Sequence, residues 1–166
     1  AVIEDAAESL GSLTDAEHTG RVGLMGVLSF NGNKIITTGG GGALITDDAA
    51  FAKRLKHLTT TAKQPHPWLF QHDEVGFNYR LPNLNAALGL AQIAQLDDFV
   101  VKKRDLARYY ADWLDKWPHA TFFTEPTGAR SNYWLNAILL QDREARDEFL
   151  GRTNECGIMT RPMWTP

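Results

Sequence analysis

Cys156 is the only cysteine among 166 residues, which excludes an internal disulfide framework and any metal site built on several thiolates. No apolar run approaches the roughly 18 to 20 residues of a membrane span, and the first residues lack the basic-then-apolar pattern of a secretory signal. A dominant charge is lacking too: 17 Lys and Arg against 20 Asp and Glu leave a formal charge of −3. The basic stretches, Lys53, Arg54 and Lys56, then Lys102-Lys103-Arg104, are short and interleaved with apolar residues. Such runs suit solvated helix faces better than a nucleic-acid surface. His57, His66 and His72 stand at spacings that fit no recognised ligand pattern, so no metal is expected. The expectation is a soluble cytoplasmic protein with neither a nucleic-acid nor a membrane partner.

What is present suits an α/β protein with a real core, since 43% of the residues are hydrophobic. Ala1 to Ile3 reads as a short buried strand whose carboxyl end delivers Glu4 and Asp5 into a loop, the usual place for ligand-facing residues in open α/β sheets. Val22 to Phe30 reads as a second strand and Gly42 to Thr46 as a third. Asp47-Asp48 would cap a helix from Ala49 to about Leu58. Thr59 to Tyr79 has no sustained periodicity and reads as a long ordered loop, in which Trp68, Phe70 and Phe77 either fill a local core or line a cleft. Two helices follow, one from Pro82 and one from about Phe99 to Trp117. After Pro118 come a strand over Tyr133 to Leu140, a helix over Asp142 to Cys156 with Gly157 at its end, and a strand over Ile158 to Arg161. The chain opens as though in mid-strand and stops without a terminal helix, so a piece of a longer protein is expected.

Lys34 carries the most chemistry. It stands in Ser29-Phe30-Asn31-Gly32-Asn33-Lys34, shortly before Gly39 to Gly42, with the acidic stretch Glu4-Asp5-Ala6-Ala7-Glu8 upstream. A lysine held against a carbonyl by a loop becomes a nucleophile of the Schiff-base type. By itself the glycine run permits a tight turn or a close backbone approach without binding anything. A phosphate-binding P-loop would place its lysine after the glycines, not before them. Asp5 alone could equally be a helix cap or a turn residue.

Four segments together go further: Glu4-Asp5-Ala6-Ala7-Glu8-Ser9, Ser29 to Lys34, Thr37 to Gly42, and Gly76-Phe77-Asn78-Tyr79-Arg80-Leu81-Pro82-Asn83-Leu84-Asn85-Ala86-Ala87. In order and spacing the chain resembles the pyridoxal-phosphate-dependent sugar aminotransferases of the DegT/DnrJ/EryC1/StrS group. Thr60-Thr61-Ala62-Lys63, His72-Asp73-Glu74 and Thr160 to Trp164 look most like the branch making 4-amino-4,6-dideoxy-N-acetylhexosamines. The resemblance implies the aspartate-aminotransferase-like fold (type I), with residues 1–98 as the C-terminal portion of the large cofactor-binding domain and 99–166 as the start of the small one. It implies a cytoplasmic homodimer with a shared site, acting on a nucleotide-linked 4-keto-6-deoxy sugar with glutamate as amino donor. It also implies that Lys34 forms the Schiff base with the cofactor aldehyde, Asp5 pairs with the pyridine nitrogen, and Ser29 contacts the phosphate. Asn78 would reach that phosphate from the neighbouring subunit, and Arg80 and Arg161 are candidates for the substrate diphosphate. Glu8 departs from the family's frequent glutamine near the cofactor's 3′ oxygen. It would have to be protonated, turned away or balanced by another group. A GDP-perosamine-type aminotransferase and a non-catalytic sensor on the same fold are the competing readings.

Overall fold

Strand β4, Met25–Ser29, is central to the first sheet because its alternation suits two covered faces: Gly26 and Leu28 are buried, while Met25, Val27 and Ser29 are half-buried. β1, Ile3–Asp5, pairs with it in parallel, Ile3 opposite Met25 and Asp5 opposite Val27. β5, Gly42–Ile45, pairs on the other side in antiparallel sense, Ser29 opposite Gly42. The computed structural model describes residues 1–165. It divides the chain into two units, one of residues 1–104 with 125–134, the other of 105–124 with the residues from 135 onward. A single cut at 98/99 would fall within helix α3, Leu96–Leu114.

A parallel pair needs a long crossover, and here it is a small hairpin rather than a helix. β2, Leu13–Thr14, and β3, Glu17–His18, pair antiparallel. The two residues between them, Asp15 and Ala16, have φ of 46° and 68°, as a two-residue turn with a primed geometry requires. Asp-Ala is not the Asn-Gly that announces such turns, so the hairpin left no mark in the sequence reading. The crossover lies so close to β4 that a Cβ on Gly26 would run into the Gly20 backbone. Glu4, on the face of β1 opposite Asp5, fastens it: its carboxylate accepts from the Gly20 N–H at 2.7 Å and the Gly23 N–H at 2.5 Å.

Helix α1, Ala49–Thr59, is capped by Asp48, which accepts from the Phe51 N–H at 2.9 Å, as expected. The following loop is ordered, with isolated bridges Thr60 to Asn78 and Lys63 to His72 and a fully buried Ala62. It closes onto α1 through His57 to Asp73 at 2.7 Å and a two-pronged Arg54 to Glu74 pair. Arg54 thus holds the Glu74 carboxylate and the His57 ring meets Asp73, so that the loop is tied to α1 at two adjacent points. α2, Asn83–Ile93, starts after Pro82. α3 begins three residues earlier than expected, with Asp97 and Asp98 favourably placed in its first turn. The segment up to Trp117 is a turn, Trp117 N–H donating to Leu114 O at 2.7 Å.

Four strand expectations are corrected. The buried strand expected over Ala1 to Ile3 is instead β1, Ile3–Asp5, which takes in Glu4 and Asp5 and leaves Ile3 exposed. Val22 to Phe30 shortens to β4, because the Gly23 N–H is taken by the Glu4 carboxylate instead of a ladder. Tyr133 to Leu140 shortens to β8, Ile138–Leu140, paired with β6, Ala120–Phe122; Tyr133 has φ of 45°, which no extended strand accommodates. Ile158 to Arg161 forms no strand: helix α4, Arg143–Glu155, instead holds Thr160 through Thr153 and Asn154 side chains at 2.5 and 3.1 Å. β7, Ala129–Arg130, pairs with β2 and was not foreseen. The core of the first unit gathers Ala6, Leu28, Ile36, Ala62, Val100 and Trp134, and Ala107, Leu114 and Phe122 are buried in the second.

Two predictions test this frame. The Gly23 and Gly20 amides hold the Glu4 carboxyl below its usual range, so its contribution is present above that range and lost as pH falls through the depressed value. Urea midpoints of wild type and Glu4→Gln should therefore differ most at neutral pH, and the gap should narrow as the pH is lowered below the ordinary carboxylate range. A gap unchanged on acidification would contradict the assignment. Arg104 pairs with both Glu125 oxygens at 2.8 Å and donates to Ser131 O at 2.6 Å. Arg104→Met should lower unfolding free energy by about 1–2 kcal/mol after allowance for solvent screening, measured by urea denaturation.

Candidate active site

Because β1 and β4 run parallel, their carboxyl ends open on the same edge of the sheet. Asp5 is the last residue of β1 and Ser29 the last of β4. Asp5 is opposite Val27, so Asp5, Val27 and Ser29 project from one face. Asp5 lies at the end of the strand rather than beyond it, and its Oδ1 accepts from the Ala7 N–H at 3.2 Å, turning the chain toward Glu8. Ser29 Oγ accepts weakly from the Asn31 N–H at 3.4 Å.

From Ser29 the chain makes the loop that presents Lys34. Its neck is closed by the Phe30 N–H to Gly41 O at 2.9 Å and the Thr38 N–H to Phe30 O at 3.0 Å. The glycines serve this closure: Gly39 and Gly41 have φ of 79° and 118°, which side chains rarely adopt. A Cβ on Gly41 would also meet Leu81 at 2.8 Å. α2 supports the loop from Gln92, whose Oε1 accepts from the Thr37 N–H at 3.1 Å, and from Asn85, which donates to Thr38 O at 2.5 Å. The glycine run is thus a turn that shapes the lysine loop.

Lys34 Nζ lies 3.1 Å from Glu8 Oε1 and 4.3 Å from the ring centroid of Trp134. The lysine side chain is only 13% exposed, the glutamate 48%. Glu8 and Lys34 thus face each other as a partly shielded pair. Asn78 and Arg80 meet each other at the base of the long loop, Arg80 donating to Asn78 Oδ1 at 3.0 Å and to Thr60 O at 2.9 Å. Arg161 belongs to the second unit, its guanidinium 4.4 Å from the Trp164 ring centroid. The structure therefore gathers Asp5, Glu8, Ser29 and Lys34 at one sheet edge and pairs Asn78 with Arg80 by themselves.

Two residues were not anticipated, Trp134 beside Lys34 and Asn132 behind Glu8 and Trp134. Trp134 was assigned to a strand, and Asn132 carried no signal, since an isolated Asn-Tyr-Trp has no periodicity or turn chemistry that singles it out. Asn132 is buried and donates to Glu8 O and Leu10 O, each at 2.9 Å.

The donor set fits the cofactor that the resemblance implies: a shielded primary amine for an aldehyde, a carboxylate for a protonated ring nitrogen, and a hydroxyl for a phosphate, all at one edge.

The sequence model of the DegT/DnrJ/EryC1/StrS aminotransferase family matches residues 1–166. EpsN of Bacillus subtilis (strain 168), assigned as a pyridoxal phosphate-dependent aminotransferase, is 40% identical over 165 residues, covering 99% of this chain and 42% of EpsN. GDP-perosamine synthase of Escherichia coli O157:H7 is 36% identical over 165 residues, covering 99% of this chain and 44% of that protein. Among solved structures, the aminotransferase TlmJ from Streptoalloteichus hindustanus superposes with a TM-score of 0.88 at 28% identity, over 93% of this chain and 42% of TlmJ. The chain spans less than half the length of these relatives. Within that span it has the α/β fold of the pyridoxal-phosphate-dependent aminotransferases and belongs to the DegT/DnrJ/EryC1/StrS aminotransferase family.

Proposed function

We propose that the protein containing this chain transfers an amino group from glutamate to the 4-keto carbon of a nucleotide-linked 6-deoxy sugar, with Lys34 as its reactive amine. The sugar nucleotide we favour is a UDP-linked 4-keto-6-deoxy-N-acetylhexosamine, and the setting is surface-glycan biosynthesis. The observation that carries the proposal is the shielded Lys34 Nζ at the edge where β1 and β4 deliver Asp5 and Ser29. Likeness to EpsN, a pyridoxal phosphate-dependent aminotransferase by name, supports the reaction type.

When bound, pyridoxal phosphate supplies an electron-withdrawing ring that stabilises negative charge at the carbon undergoing amino transfer. Asp5 would hold the cofactor's ring nitrogen by accepting its N–H, an interaction that matters most as charge develops. Lys34 would hold the cofactor through its aldehyde carbon and, once its amine is free, would take up and return a proton at Nζ. Ser29 donates its hydroxyl to the phosphate, and Asn78 serves the same phosphate across a homodimer interface. Glu8, next to Lys34, would face the cofactor's 3′ oxygen. Arg80 and Arg161 offer guanidinium groups to the substrate diphosphate.

The first test is borohydride reduction of the full-length protein after addition of pyridoxal phosphate, with peptide mass mapping. A reduced adduct should appear on Lys34 and vanish in Lys34→Ala. An adduct elsewhere, or none, would refute the assignment and favour a sensor that has lost transamination. Asp5→Asn should still form the adduct yet lower kcat by about 10²–10³-fold, read from steady-state kinetics.

The likeness to GDP-perosamine synthase favours a second reading within the same reaction class, with a GDP-linked ketosugar as acceptor. Competition between UDP- and GDP-linked 4-keto-6-deoxy sugars separates the two. Under the favoured reading, kcat/KM for the UDP sugar should exceed that for the GDP sugar by at least about tenfold, a transition-state difference near 1.4 kcal/mol.

A further inference from the structure

We infer that Trp134 is a positioning residue for Lys34, and that Asn132 sets it in place. The inference rests on the reading of Lys34 as the reactive amine. The segment 125–134 rejoins the first unit in an unusual way. Tyr133 has φ of 45°, a sparsely populated conformation for a bulky side chain, of the kind that persists only where the surroundings over-determine it. Here they do: the Tyr133 N–H donates to Ser131 Oγ at 3.0 Å, and Tyr133 Oη accepts from the Glu125 N–H at 3.1 Å. Arg104 clamps Glu125 and Ser131 beside it.

That turn directs the Trp134 indole against the lysine loop. Its Nε1–H donates to Asn33 O at 2.6 Å, one residue before Lys34, and its ring centroid lies 4.3 Å from Lys34 Nζ. The Trp134 N–H donates to Asn132 Oδ1 at 2.8 Å, and its carbonyl accepts from Lys103 Nζ at 3.1 Å. The same Asn132 amide grips Glu8 O and Leu10 O, while its own N–H donates to Ser12 Oγ at 2.9 Å. One buried side chain thus registers both walls around the amine, the indole on one side and the Glu8 carboxylate on the other. An aromatic face attracts a cation electrostatically and, being buried, keeps water from that side of Nζ.

The charged groups at this point are the Glu8 carboxylate, facing Nζ, and Lys103, on the far side of the Trp134 carbonyl. Removing the indole face should leave the amine less firmly held and more open to reagent, hence more readily labelled. The test is competitive labelling with trace acetic anhydride at pH 8 on the full-length protein freed of pyridoxal phosphate by hydroxylamine. Lys34 acetylation is mapped by mass spectrometry and normalised to the exposed Lys53.

Trp134→Leu should raise Lys34 labelling about threefold to tenfold, while Trp134→Phe, which keeps an aromatic face, stays within about twofold of wild type. Trifluorotryptophan placed at position 134 weakens the face without altering the fold and should raise labelling by a similar factor, so the test does not depend on the leucine variant folding. Unchanged labelling with the fluorinated residue would overturn the inference, because a purely structural indole would not respond to its ring electronics. The cofactor reading fails separately, through absence of the borohydride adduct.

Discussion

Two parallel strands end on the same side of a sheet, and the pairing of β1 with β4 therefore brings the ends of distant segments to one edge without further design. Asp5 and Ser29 share a face because their strands are in register; a slip by one residue would send them to opposite faces. The loops that continue from these ends inherit the arrangement. The acidic loop carries Glu8, the glycine-closed loop carries Lys34, and the two meet at 3.1 Å. β5 adds the return path, since its antiparallel pairing with β4 fixes where the glycine turn must close.

Polar anchors, more than apolar bulk, hold the segments around that edge. The buried hydrophobic set of the first unit is small, and Glu4, Asn132 and Arg104 each satisfy backbone groups from segments that would otherwise lack a ladder partner. Glu4 serves Gly20 and Gly23 of the crossover. Asn132 serves two carbonyls of the acidic loop. Removing a partner from a buried backbone group costs more than the bond itself contributes, about 1–3 kcal/mol for each group left unpaired. Such anchors specify one arrangement of loops that apolar packing alone would leave degenerate.

The sequence disclosed the parts of this design whose local chemistry is strong. Asp48 caps α1, the glycines turn, and β4 and β5 flank them as their composition suggests. The proposed roles of Lys34, Asp5 and Ser29 come from an amine, a carboxylate and a hydroxyl in a known order, and the strand pairing brings the segments that carry them to one sheet edge. Illegible features depend on distant contacts or on unusual backbone. The Asp15-Ala16 turn adopts positive φ without glycine or asparagine, so no turn signal announced it. Trp134 was hidden in an apolar stretch that imitates a strand, which Tyr133 interrupts with its own positive φ. The polar partners of Thr160 sit on α4 and took the place of the strand expected over Ile158 to Arg161.

Magnitudes explain why one contact would not suffice for Lys34. Fixing a lysine side chain forfeits up to about 2 kcal/mol of rotamer freedom. A half-exposed ion pair such as that with Glu8 returns only about 0.2–1 kcal/mol, so by itself it would leave the amine wandering. The aromatic face adds about 0.5–2 kcal/mol, the higher values applying where the ring is desolvated, as the buried Trp134 is. The sum is near balance: Nζ has a preferred position, yet departure from it is inexpensive. Under the proposed role that balance is what the amine would need, since a lysine bound by many kcal/mol would be as inert as one left in solvent would be misplaced.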